Sequence, residues 1–415
     1  MSNDEIIAGL DVGSSAIRIT VGQKSSGEEL RIIGVEEQQS EGISKGIINS
    51  IEDAVSSIST CLEKAERATG VPIERVWVGI SGSHITSQTS KGVIAISRTD
   101  GEITEDDVER VIEAARAVAT PPNYEILHVI PRSFVVDNQA NVKDPIGMVG
   151  IRLEVEAQII QGLSSQIKNL TKCIYRTGLD VEDLVLSVLA ANEAVLTSRQ
   201  KDLGVMVVDI GATTTSLVVY EEGDILHTAN LPIGSDRITA DIAIGLRINI
   251  DLAEKLKIDY GYGLPKDINR KEEIDLKNID PNECQKISKR YVAEIIEARV
   301  EEIFNKIDQE LVKIDRSGKL PAGVVLIGGG AKLPQIVEIA KKKLRLSVCL
   351  GQLSNIKKCV IDKINDLSYL TSAGLVLWGG QFQPTRSQSK GGKIDFSKIN
   401  KVFKKVGERI KKLIP

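Results

Sequence analysis

Aromatic residues are scarce in this chain of 415 residues: five Phe, seven Tyr and two Trp, 3% in all. Such a chain lacks the rows of aromatic platforms on which single-stranded nucleic acids stack, and Ile, Val, Leu and Ala must build its cores. An overall basic excess is missing too. At a net charge of −4 there is no electrostatic footprint for nucleic acid, and none is expected as a partner. The five cysteines (Cys61, Cys173, Cys284, Cys349 and Cys359) lie far apart with no C-x-x-C pair. That scatter argues against a disulfide framework and suits a reducing compartment. Three isolated histidines make a zinc site improbable. No apolar run reaches membrane-spanning length, and MSNDEIIAGLD lacks the basic-then-apolar order of a secretory signal. The expectation is a cytoplasmic protein.

What is present is an ordinary globular composition, 42% apolar and 27% charged, on a length that suggests two to four domains. IIAGLDVGSS, AIRITVGQ and LRIIGVEEQ read as a β-meander, followed by a helix over Ile51–Thr69 and the strand VWVGISG. Residues 83–162 read as a small inserted α+β subdomain, whose helix opens on Thr104 and Asp107, close to a capping box. A helix over 164–177 and the strand LVLSV return to the parent layer. At Gly204 the scheme restarts with VMVVDIGATTT, SLVVYEEG and DILHTANLPIG, then a helix from Ser235. Residues 265–319 are charged and helical, and GVVLIGGGAKLPQIVEIAKKKL is a strand, a glycine turn and a helix. The implied fold class is α/β.

GLDVGSSAIRITVG (9–22) and VVDIGATTTSLVVY (207–220) are near repeats. In each, an aspartate ends a strand and is followed by glycine and small hydroxyl residues. Glycine lets the backbone approach a ligand closely, and the turn's N–H and hydroxyl groups donate to phosphate oxygens. The aspartate suits a magnesium ion that keeps its water. Asp11, Gly13, Ser14 and Ser15 fill these roles in the first copy. Asp209, Gly211, Thr213, Thr214 and Thr215 fill them in the second, with Asp11 and Asp209 facing the metal through water. Either turn alone reads equally as a hairpin with a polar tip; the duplication favours the phosphate cradle. IGGGAKLP adds a third element, because Gly328, Gly329 and Gly330 can lie flat against a purine or ribose. It is not the dinucleotide fingerprint, since the three glycines are contiguous.

Residues 384–394 form a polar linker. In the last 21 residues seven Lys or Arg face two acids, a local net of +5. Phe396, Ile399, Val402, Phe403, Val406 and Ile410 share one face of a helix, while Lys401, Lys404 and Lys405 stand among the basic residues on the rest. Such a helix lies in the headgroup region of an anionic membrane, each cation contributing about 1 kcal/mol. The alternative is a last helix docked on the protein's own core.

Two phosphate turns of D-[VI]-G type and a late G-G-G turn resemble the actin, Hsp70 and sugar-kinase superfamily. Within it, GISGSHITSQTSKGVIAISR, EILHVIPRSFVVDNQANVKDPIGM and HTANLPIGSDRITADIAIGL resemble the bacterial cell-division FtsA family over nearly the whole chain. The resemblance implies an actin-like two-lobe ATPase fold with an inserted 1C-type subdomain and a C-terminal amphipathic helix. The first lobe (1A) is then 1–82 and 163–203, subdomain 1C is 83–162, and the second lobe (2A) is 204–242 and 320–383. Its insertion (2B) is 243–319, the linker 384–394 and the membrane helix 395–415. The resemblance further implies ATP and Mg2+ between the lobes and self-assembly into filaments. It implies peripheral attachment to the inner membrane face and recruitment of later division proteins. Ser235, Asp236, Glu254 and Lys257 would approach the ribose and base, although Glu254 and Lys257 read equally as a solvated helix face. The C-terminal peptide of the tubulin-like FtsZ would dock on 243–319, where Arg290, Arg299 and Lys306 are cations for an acidic peptide or members of a mixed-charge surface.

The chain departs from the family pattern at two places. The second turn reads DIGATTTS, with Ala212 for a glycine and Ser216 for the terminal acid. Ser187–Val188 replaces a Glu-Pro whose acid positions the attacking water in relatives. These losses predict that ATP is bound but hydrolysed slowly or not at all. Two other readings compete: an actin-like pilus-assembly protein of the PilM type, and a soluble sugar or acid kinase of the same superfamily. The kinase reading predicts no basic tail. An actin-like shape-determining cable protein would lack the insertion at 83–162.

Overall fold

The strand Glu5–Val12 turns at Gly13 into Ala16–Lys24, and the two pair antiparallel with Asp11 opposite Arg18. The second copy repeats this arrangement. Val205–Ile210 pairs with Thr215–Glu221, and Asp209 stands opposite Ser216. On its other side each first strand has a parallel neighbour. Arg75–Ile80 sets Gly79 beside Asp11, and Val324–Ile327 sets Ile327 beside Asp209. The meanders are completed by Arg31–Gln39 and Asp224–Leu231, and the parallel flanks by Asp180–Leu186 and Val348–Leu350. A six-stranded and a five-stranded sheet therefore share one strand order, the first adding a short Lys358–Cys359 strand at its edge. The central strands are buried on both faces, which is why VMVVDI and VVLI read as nearly continuous apolar runs.

The structure, a computed structural model, describes residues 5–381 apart from 26–28, 118–120, 282, 357 and 360. The linker 384–394 and the amphipathic helix 395–415, with every residue assigned to the membrane, lie outside the described residues. The chain forms two compact units. One runs to Thr86 and resumes from Gly162 to Leu377; the other is built around Ser87–Gln161.

In the larger unit the helix Ile51–Thr69 forms where expected. Ser50 accepts a hydrogen bond from the Asp53 N–H at its start, and Gly70 ends it in the left-handed region. The helix Ser187–Val195 packs against strands of both sheets. The second-sheet core is closed by the helix Lys289–Lys313, which places Val292, Ile296, Val300, Ile303, Phe304, Ile307 and Leu311 inside at helical spacing. The stretch expected to be helical over 265–319 is helical mainly there. Before it lie the short strands Glu273–Asp275 and Lys286–Ser288, which pair with each other.

The smaller unit is a four-stranded sheet in the order Ile85–Ala95, Arg152–Leu163, Tyr124–Val136, Gln139–Val142. The helix Glu105–Ala117 contributes Val111 and Ala115 to its core. Only one half of a capping box forms: the Thr104 N–H and hydroxyl both donate to Asp107 Oδ2, at 3.0 and 2.8 Å.

Candidate nucleotide site between two hairpin turns

The two hairpin tips are built alike. Gly13 N–H donates to the Ala16 carbonyl at 3.2 Å, and Gly211 N–H to the Thr214 carbonyl at 2.9 Å. A Cβ at either glycine would lie within 3 Å of that carbonyl oxygen, so neither turn admits a side chain there. The tips touch one another: the Thr213 hydroxyl donates to Ser14 Oγ at 2.9 Å. Both hydroxyls also accept backbone N–H groups from one small hairpin, Lys45 to Thr213 at 3.1 Å and Gly46 to Ser14 at 3.2 Å. Each hydroxyl thus sits between the other turn and a third loop. Not every assigned hydroxyl faces this meeting point. Thr215 donates to the Ile233 carbonyl at 2.8 Å inside the sheet, Thr214 is buried, and Ser15 is exposed.

Asp11 and Asp209 come together from opposite sheets. Burial, then the negative charge of Asp209, push Asp11 from 3.8 up to about 7, against the pull of Arg18. Burial pushes Asp209 up to about 6, against a hydrogen bond from Thr371 and the charge of Arg18. The Thr371 hydroxyl donates to Asp209 Oδ2 at 3.4 Å. Two desolvated carboxylates raised in this way are poised for a cation, which would remove both the repulsion and the burial penalty. Among the described residues no group of three or more His, Cys, Asp or Glu forms a direct metal cage. A hydrated Mg2+ fits this donor set, since it keeps several waters and takes only one or two carboxylates beside phosphate oxygens.

The glycine turn closes on the second hairpin. Gly328 has φ +86°, and a Cβ there would stand 2.2 Å from Asp209 Oδ1; one at Gly330 would stand 2.5 Å from Ile210 Cγ2. Gly329 opens the short 3-10 turn Gly329–Lys332. From the other direction, Ser235 N–H donates to the Gly211 carbonyl at 2.9 Å and Asp236 N–H to the Ala212 carbonyl at 2.8 Å. The helix Asp236–Leu246 therefore starts directly on the second turn. Glu254 and Lys257 join it as a cluster: Lys257 Nζ lies 2.7 Å from Glu254 Oε2 and donates to Thr239 Oγ1 at 2.8 Å, while Thr239 donates to Glu254. Partial burial raises the Asp236 carboxyl, with Lys257 opposing and Glu254 adding.

Sequence reasoning missed Lys45 and Gly46, Arg18, Thr239 and Thr371. The backbone donors carry no side-chain signature, and Thr371 reaches Asp209 across 162 residues of sequence. Arg18 pairs directly across the hairpin from Asp11, so the two share one face of the sheet. Of the departures noted above, Ser216 donates to Asn230 Oδ1 at 2.7 Å. Ser187, 2% exposed, has no hydrogen-bond partner for its Oγ. The three cations assigned to an acidic peptide, all on the Lys289–Lys313 helix, each have an acidic neighbour. Arg290 meets Glu294 at 3.2 Å, Arg299 grips Asp241 at 2.5 and 2.9 Å and also Glu302, and Lys306 lies 3.9 Å from Glu302.

Two sheets of one strand order, carrying paired aspartate turns, define an actin-like ATPase fold. Solved structures agree. A chain of a PilM–PilN type IV pilus biogenesis complex superposes with a TM-score of 0.66 at 16% identity, covering 90% of this chain and 98% of that one. MreB5 of Spiroplasma citri bound to ADP superposes with a TM-score of 0.50 at 12% identity, covering 91% and 96%. At these identities the likeness is one of fold alone. Sequence decides the family. Residues 82–161 match the model described as an SHS2 domain inserted in FTSA, and 206–374 match that of cell division protein FtsA. FtsA of Pseudomonas aeruginosa is 36% identical over 92% of this chain and 91% of its own length; that of Borreliella burgdorferi is 37% identical over 98% and 96%. The chain belongs to the FtsA family of bacterial cell-division proteins, and the pilus-assembly reading is not favoured.

Proposed function

We propose that this division protein binds ATP with Mg2+ between its two hairpin turns, polymerises like actin, and tethers the FtsZ ring to the cytoplasmic face of the membrane while recruiting later division proteins. The observation that carries the reading is the meeting of Asp11, Ser14, Asp209 and Thr213 from two sheets of equal topology. In this reading Gly13, Ser14, Ser15, Gly211, Thr213 and Thr214 cradle phosphate through backbone N–H groups as well as hydroxyls, while the Thr215 hydroxyl stays tied to the Ile233 carbonyl. Asp11 and Asp209 hold the hydrated Mg2+, whose charge would neutralise the phosphate oxygens. Ser235, Asp236, Glu254, Lys257 and Gly328–Gly330 take the adenosine. The lobes are 1–82 with 163–203 and 204–242 with 320–383, and the insertions are 83–162 and 243–319.

Hydrolysis is slow or absent, because neither Ser187 nor Ser216 supplies a carboxylate to orient and deprotonate water. A metal-dependent turnover of about 1 s⁻¹ or faster, on the kinase scale, would refute that part. The FtsZ peptide docks on 243–319, and its acids must compete with Asp241, Glu294 and Glu302 for Arg299, Arg290 and Lys306. Attachment rests on the basic amphipathic segment 395–415. Flotation with anionic vesicles tests it: full-length protein should float, the chain ending at Gln383 should not, and high salt should weaken binding. Equal flotation of both, or of neither, refutes the tether.

A further inference from the structure

The smaller unit carries a charge of its own. Residues 87–161 hold twelve Asp or Glu against seven Lys or Arg, a net of −5, while the last 21 residues of the chain net +5. Outside that tail the chain nets −9, so more than half of its acidic excess is gathered in this one segment. Part of the excess is bare. Asp100, Asp107 and Glu113 each meet an arginine. Glu102, Glu105, Asp106 and Glu109 are exposed, and among the described residues no cation pairs with them. Uncovered apolar surface lies alongside. Val149, the β-bridge partner of Glu102, is 70% exposed, and Ile151 is 77% exposed. An apolar step rimmed by unpaired charge marks an interaction site, and this one fits a helix with one aliphatic and one basic face. Such a segment is tethered nearby. The described chain ends in the helix Leu370–Gln381, whose Trp378 ring lies 6.2 Å from that of His128 on the strand Tyr124–Val136. The thirteen residues 382–394 reach at most about 45 Å, more than the ~30 Å across a domain of this size. The basic segment beyond them therefore meets this face at high effective concentration.

We infer that, away from a membrane, segment 395–415 docks on this face of the smaller unit. Its apolar side, from Phe396 to Ile410, covers Val149 and Ile151, and its lysines lie beside Glu102, Glu105, Asp106 and Glu109. An anionic bilayer offers the same segment a larger apolar bed and more negative charge, so the two sites compete for it. Membrane attachment then uncovers the face, and a partner of the smaller unit meets it only on protein already at the membrane. The inference rests on the reading of 395–415 as a helix that binds anionic lipid.

The test uses the full chain throughout. One variant carries Val149→Ser with Ile151→Ser; a second carries Glu102→Gln, Glu105→Gln, Asp106→Asn and Glu109→Gln. Every replaced side chain is exposed, so the fold should survive. A tail docked about four-fifths of the time binds vesicles about fivefold more weakly than a free one. Both variants should therefore bind vesicles of equal parts phosphatidylglycerol and phosphatidylcholine about fivefold more tightly than the wild type in sedimentation titrations. Hydrogen exchange without lipid is the second readout. Amides of 100–109 and 148–152 should be protected in the wild type, and exposed when Val402→Glu and Phe403→Glu spoil the apolar side of the tail. Exchange that this tail variant leaves unchanged overturns the inference, whatever the vesicles show. Unchanged vesicle affinity in both face variants overturns the competition. Protection that grows with protein concentration places a second copy on the face and overturns the inference as well. If no version binds vesicles, the lipid reading has failed, and the exchange comparison alone decides the docking.

Discussion

Replacing Asp11 by Asn should make the nucleotide-free protein more stable at neutral pH, while weakening its response to Mg2+. The sign follows from the raised carboxyl. Its value is 3.8 in the unfolded chain and about 7 in the folded one, so between these pH values the folded state holds a proton that the unfolded state has released. Stability therefore falls as pH rises from about 4 to about 7, and the penalty is complete above that. At about 1.4 kcal/mol for each pKa unit, the rise corresponds to at most about 4 kcal/mol. Asp209 is raised as well and shares the same field, so the two penalties do not add. An observed gain of about 1–3 kcal/mol is expected for Asp11→Asn at pH 8. Urea unfolding in EDTA, followed by the fluorescence of Trp77 two residues from Gly79 on the same strand, reads it directly. The wild type should lose stability from pH 5 to 7.5, and Asp11→Asn should flatten that slope. Mg2+ with an ATP analogue should restore the wild type at pH 8 far more than the variant. Parallel pH curves for the two proteins would refute the argument that these carboxylates wait for a cation.

Three further outcomes follow from the same geometry. Gly328→Ala forces a left-handed backbone onto a residue whose Cβ would stand 2.2 Å from Asp209 Oδ1; it should cost about 1–3 kcal/mol and cut ATP-analogue affinity at least tenfold by fluorescence titration. Gly374→Ala puts a Cβ 2.0 Å from the Ala190 carbonyl, where the helices Leu370–Gln381 and Ser187–Val195 meet, and calorimetry should show a loss of about 1–3 kcal/mol. Phe304→Ala, emptying a fully buried site in the second-sheet core, should cost about 3–5 kcal/mol in urea unfolding, without changing the Mg2+ dependence of whatever protein remains folded.

Much of this protein is legible in its sequence. The duplicated aspartate turns, the triple glycine and the helix over Ile51–Thr69 depend on local rules: glycine where the backbone must pass close, apolar residues at the period of the element that buries them. The family resemblance rested on the same short stretches. What local rules could not reach was which groups meet. Thr371 beside Asp209, Thr213 on Ser14, and Lys45 and Gly46 on both are contacts between distant segments. Sheet register and helix crossing decide them, not neighbouring sequence. The same holds for charge. Nothing in DVGSS or DIGATT says that either carboxylate will resist ionisation, because burial, and for Asp11 the charge of Asp209, come from tertiary packing. Sequence alone determined that two aspartate–glycine turns exist and what residues they offer; only the tertiary structure put them face to face, Thr213 on Ser14 and Asp209 within the field of Asp11.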